Sequence, residues 1–128
     1  MTYAWAASAV VAVHFAFIAF VILGGFLVVR NLRWAFVHLP AAAWVVWLEL
    51  TGAICPLTPL ENLLRTQAGQ EGYGGGFIDH YLTPIIYPSG LTPQIQVALG
   101  IGVLVLNVIV YWRAWRRRAQ RPHDLETR

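Results

Sequence analysis

YAWAASAVVAVHFAFIAFVILGGFLVV, residues Tyr3–Val29, contains no Asp, Glu, Lys or Arg. A helix needs about 20 apolar residues to cross the hydrocarbon core of a bilayer, so this stretch predicts a membrane span. Two further runs read the same way: Trp34–Cys55 holds one charged residue, Glu49, and Gln94–Trp112 holds none. Spans are expected at about 4–29, 34–55 and 94–112, joined by the short turn Arg30–Arg33 and by a long loop, 56–93. The expected fold class is all-α: a helical integral membrane protein with three transmembrane helices, whose outer loop contains short interfacial or re-entrant helices. One domain, 1–121, is followed by a tail, 122–128, expected to be disordered.

Charge orients these spans. The basic residues are nine arginines and no lysine, and eight of them sit at Arg30, Arg33, Arg113, Arg116, Arg117, Arg118, Arg121 and Arg128. Cytoplasmic loops collect Arg and Lys, so the turn and the tail are expected inside, the N-terminus and the long loop outside. The first run has no positive segment before it and is longer than a signal peptide's apolar stretch, so it is expected to be a retained span.

Composition narrows the function classes. The chain is 58% hydrophobic and 12% charged, outside the usual range of a soluble domain. Its net charge of +3 is concentrated beside the membrane, where it sets topology and meets lipid headgroups. Nucleic acid is not an expected partner, because no recognisable nucleic-acid motif accompanies the arginines. The single cysteine, Cys55, excludes an intramolecular disulfide.

Within the loop, Thr58-Pro59-Leu60-Glu61 has the spacing of a capping box with proline at the first helical position, and predicts a short helix. Ala68–Gly76 is a glycine-rich break. Phe77–Tyr87 is apolar apart from Asp79, His80 and Thr83 and too short to span, so it is expected to lie on the membrane or to re-enter it as a partial fourth span.

Ionisable groups inside spans are costly and mark candidate sites. Here they are His14, His38 and Glu49, with Asn107 as a polar companion. In a hairpin turning at Arg30–Arg33, His14 and Glu49 lie equally far from the turn, as do Gly25 and His38. Each pair on one helix is eleven residues apart, close to three turns, so both pairs share one facing stripe. His14 is therefore expected beside Glu49, and His38 opposite Gly25 and level with Asn107. Ala4, Ser8, Ala12 and Ala16, and separately Ala98 and Gly102, form small-residue stripes, assigned first to packing inside the bundle and second to a partner. Outer-loop candidates are Cys55, Glu61, Asp79 and His80. If the loop folds back, His80 joins His14 and Glu49 as a weak metal cluster. His14 and His38 lie roughly 16 Å apart in depth and cannot hold one haem between them.

The strings Ile54-Cys55-Pro56-Leu57-Thr58-Pro59-Leu60-Glu61-Asn62 and Gly75-Gly76-Phe77-Ile78-Asp79-His80-Tyr81-Leu82 carry a resemblance. With Val13-His14-Phe15, Gly24-Gly25 and His38-Leu39-Pro40, they resemble a family of small bacterial membrane proteins catalogued as a domain of unknown function. The likeness covers about residues 9–111. It implies a bacterial inner-membrane location and brings no activity, substrate or cofactor with it.

Three functions are weighed. The leading one is a non-enzymatic accessory or assembly component, with the bilayer and a membrane-protein partner or a second copy as its contacts, and without a cofactor. The alternative is a metal- or haem-binding, redox-linked protein using His14, Glu49 and His80. The third is proton-coupled transport by an oligomer.

Overall fold

The computed structural model describes residues 1–86, 90 and 92–120. Among these there is no strand. The helices are α1 (Thr2–Arg30), α2 (Ala35–Thr51), α3 (Leu57–Gln67), α4 (Thr83–Ile86) and α5 (Pro93–Gln120), with a 3₁₀ turn at Leu32–Trp34 and a π turn at Ile78–Leu82. α1, α5 and the segment Leu32–Thr51 are each long and apolar enough to cross a membrane.

Two helix ends differ from those expected. α1 closes at Asn31, whose extended backbone breaks the helix while its side chain accepts from the Arg33 N–H at 3.1 Å. That bond folds the turn and sends α2 back antiparallel, through Pro40 as expected. α2 stops at Thr51, short of the expected end at Cys55. Gly52 takes the left-handed conformation (φ 68°), which glycine adopts without a Cβ penalty, and Ala53 N–H closes on the Leu48 carbonyl at 3.1 Å. α5 starts where Thr92 accepts from the Ile95 N–H, with Pro93 in the first turn. It runs past Trp112 to Gln120, so the arginines from Arg113 to Arg118 are helical. The expected disorder of 122–128 concerns residues outside the described ones, as do Tyr87 and Pro88.

The outward-facing surface is apolar and the interior is partly polar, the reverse of a water-soluble domain. Trp5, Phe36 and Ile85 are at least three-quarters exposed, while His14, His38, Glu61 and Asn107 are buried. Such inversion suits helices solvated by lipid. On α1 the buried face recurs every seven residues, at Ala7, His14, Val21 and Val28, with Gly24 and Gly25 added. A seven-residue period is the seam of helices packed at a shallow crossing angle.

α1 packs against α2, α3 and α5, and α2 packs against α5. The small-residue stripe is not part of that seam: Ser8, Ala12, Ala16, Ala98 and Gly102 are exposed. Packing inside the bundle, the first explanation from the sequence, does not account for them. The glycines that let helices approach are others. A Cβ on Gly24 would overlap the His38 ring, and one on Gly25 would come within 2.7 Å of the Val110 side chain.

Candidate functional site

The polar residues form two clusters. One lies at the arginine end of the bundle, near the α1–α2 turn; the other lies at the loop end, where α2 finishes.

At the arginine end His38 is fully buried, and both its ring nitrogens are engaged. The Val21 carbonyl, 3.1 Å from Nε2, can only accept, so Nε2 carries the proton. In the neutral ring the Tyr111 hydroxyl then donates to Nδ1 at 2.9 Å. Asn107 donates to the same Val21 carbonyl at 3.4 Å and to Val103 at 2.9 Å. The depth match of His38 with Asn107 is as expected. The glycine beneath His38 is Gly24, one residue from the expected Gly25. With both nitrogens satisfied, His38 ties α1, α2 and α5 together and has no free lone pair for a ligand.

At the loop end His14 and Glu49 face the same cavity, of about 50 Å³, walled also by Cys55, Phe77, Asp79 and Gln96. They share the level expected from the turn, but no hydrogen bond joins them. His14 Nδ1 and Glu49 Oε2 are buried without a partner. Phe77 stacks on the His14 ring at 3.8 Å and holds it in place, while the stem of Glu49 packs near Gly100 on α5. No hydrogen bond connects Cys55 to His14 either.

His80 does not join this site. It is exposed and stacked on Tyr73 at 3.7 Å, and the side chain that folds over His14 is Phe77. The metal cluster of His14, Glu49 and His80 therefore does not assemble, and no metal-holding group of three or more His, Cys, Asp or Glu occurs among the described residues.

The wall that carries Phe77 is fixed by Glu61. The expected capping box does not form: α3 begins at Leu57, one residue before Thr58, whose hydroxyl is buried without a partner. Glu61 instead turns to stronger donors. Fully buried, it accepts from Tyr81 at 2.6 Å, Tyr73 at 2.8 Å and Arg65 at 3.1 Å. Arg65 also donates to the Tyr81 hydroxyl at 2.8 Å. Asn62 pairs with the Tyr73 backbone through both its amide groups, at 2.9 and 3.0 Å. Burial first, and then bonding to Glu61, pushes the Tyr73 and Tyr81 hydroxyls above the ordinary tyrosine value. Both are therefore neutral donors at physiological pH. Phe15 on α1 meets Phe77 and Tyr81 edge-on, which seats the segment against the bundle.

Sequence reasoning missed Arg65, Tyr73, Phe77, Tyr81, Gln96 and Tyr111. Only the Glu61–Arg65 pair carried a readable signal, the four-residue spacing of a helical ion pair.

The fold and site define a small all-helical protein with three helices suited to a membrane, a satisfied polar lock at one end and an unsatisfied polar cavity at the other. The chain belongs to the family described as Protein of Unknown function (DUF2784), whose model matches residues 4–112. No curated protein and no solved structure matches it.

Proposed function

We propose that this chain is a non-enzymatic component of the bacterial inner membrane, with its N-terminus and the α2–α5 segment outside. Its working site is the His14–Glu49 cavity, which takes a small cation or hydrogen-bond-donating ligand, the proton included. One observation carries this reading: two buried polar atoms from facing helices, His14 Nδ1 and Glu49 Oε2, lack partners and line one cavity. Leaving such groups unpaired costs about 1–3 kcal/mol each, more for a charged one, and a donor bound between them recovers that cost. The cavity's small size favours a water- or ammonium-sized occupant over a haem. Asp79 in the wall adds a second acid.

The test is thermal unfolding of the detergent-extracted chain, titrated with sodium, ammonium and methylammonium against choline at equal ionic strength. At least one small cation is expected to raise Tm, and Glu49→Gln to abolish the rise. A native chain indifferent to all of them across pH 5–9, with His14 NMR signals likewise unmoved, would remove the reading.

The outward position of Ser8, Ala12 and Ala16 supports a second feature, assembly with another helix along that face of α1. In a Cys55→Ser background, Ala12→Cys is expected to crosslink in the membrane to a partner or a second copy, and Val13→Cys, exposed at the same depth but about 100° round the helix, to crosslink much less. Equal labelling at the two positions would argue against a face-specific contact.

A further inference from the structure

The arginine end holds a second cavity, unrelated to the one above. It has about 280 Å³ and lies between the C-terminal ends of α1 and α5, lined by Val29, Arg30, Ala114, Arg117 and Arg118. Its shape has a sequence cause. Val28 and Ala114 are buried where the helices meet, and the small Ala114 leaves a notch below the longer side chains that follow. Arg117 and Arg118 lie three and four residues after Ala114, so all three share one face of α5. Arg30, in the last turn of α1, supplies the opposite wall.

Among the described residues the charge balance there is one-sided. The acids among the described residues are Glu49, Glu61, Glu71 and Asp79, all in the loop or at the loop end. Three guanidinium groups meet two helix C-termini, each worth about half a negative charge, which leaves roughly two positive charges to neutralise. Guanidinium forks match the oxygens of a phosphate, which can accept from two or three of them together.

Aromatic side chains fix the depth. Trp34, Trp112 and Trp115 are exposed around the same end, and Arg116 lies over the Trp112 ring at 5.0 Å. Exposed tryptophans next to arginines mark the headgroup level of a bilayer. We propose that the Arg30–Arg117–Arg118 cleft is a phosphate-binding site that holds the phosphate of an anionic lipid headgroup. This rests on the membrane-spanning reading of the helices and not on the His14–Glu49 cavity.

The sequence supplies an internal control. Arg113 and Arg116 carry the same charge in the same helix and do not line the cleft. The experiment is native mass spectrometry of the full chain in detergent, titrated with phosphatidylglycerol, phosphatidylcholine, glycerophosphate and inorganic phosphate. Phosphatidylglycerol is expected to give one saturable adduct, bound at least about tenfold more tightly than phosphatidylcholine, a difference of about 1.4 kcal/mol. The double variant Arg117→Gln/Arg118→Gln should weaken it about tenfold or more, and Arg30→Gln should weaken it also. Arg113→Gln/Arg116→Gln should leave it within about twofold, with circular dichroism confirming that every variant is folded. Equal losses in the two double variants would replace the site by diffuse surface charge and overturn the proposal. Glycerophosphate or inorganic phosphate binding as tightly as phosphatidylglycerol would overturn the lipid as the source of the phosphate.

Discussion

Glu61→Ala is expected to release the segment between α2 and α5 and expose it to protease. The substitution removes the acceptor of three hydrogen bonds and leaves two tyrosine hydroxyls and a guanidinium without their partner. Breaking a buried ion pair from one side costs about 3–5 kcal/mol. Arg65 is a quarter exposed and can turn to water, so the lower end applies, about 3 kcal/mol. That corresponds to a local opening constant larger by roughly a hundredfold. Arg65 is the only trypsin site between Arg33 and Arg113, so a single cut after it reports the opening. The native chain should resist, Glu61→Ala should be cut quickly, and Glu61→Gln, which keeps an acceptor oxygen, should fall between. An unchanged cleavage rate in Glu61→Ala would refute the role given to this carboxylate. The latch also has a pH limit. Its tyrosines are neutral in the folded state with raised pKa values, so their contribution is complete below pH about 10 and is lost as pH climbs through the folded values. Tyrosinate absorbance should show a late-ionising fraction that Tyr73→Phe reduces.

Gly24→Ala is the second large effect. Even this one carbon would overlap the His38 ring, which is fully buried and bonded at both nitrogens. Overpacking costs about 1–3 kcal/mol, and moving His38 off Tyr111 and Val21 adds the loss of two hydrogen bonds at about 1 kcal/mol each. The sum, about 3–5 kcal/mol, approaches the whole stability of a small protein. Gly25→Ala should cost less, because the Val110 side chain it meets holds no hydrogen bonds to lose, and Gly102→Ala should be near neutral, since its Cβ meets nothing within 4 Å. Unfolding in detergent, followed by tryptophan fluorescence, ranks the three. Combining Gly24→Ala with His38→Ser should recover part of the loss, because the two residues are coupled. Additive losses would mean that the ring is not the obstacle.

The bundle was legible because its causes are local. Charge-free runs gave the helices, and a four-residue turn fixed which residues share a depth. Counting from that turn put His14 with Glu49, and counting from the arginine ends of the spans put His38 level with Asn107, while the glycine beneath His38 was misplaced by one residue. The loop-end site was only half legible. Nothing in a glycine-rich segment announces that Tyr73 will be pinned by Asn62 and aimed at a carboxylate twelve residues earlier. The capping-box spacing at Thr58–Glu61 misled for the same reason: two tyrosine donors distant in sequence, with Arg65 one turn along the helix, out-competed a backbone N–H nearby. His80 and Phe77 are close neighbours, and which of them covers His14 depends on how the π turn rotates them. The small-residue stripes pointed the wrong way, since spacing names a helix face and not what covers it.

The early stop of α2 at Gly52 has a consequence for the lipid around it. With its 3₁₀ turn, the 20-residue segment Leu32–Thr51 rises about 30 Å and just matches the roughly 30 Å hydrocarbon thickness, whereas the 29 residues of α1 overshoot it. α1 is therefore expected to tilt or to project beyond the core, while Glu49, only two residues from the end of α2, lies close to the loop-end interface. Exchange of that carboxylate with the aqueous phase is then expected to need no rocking of the bundle.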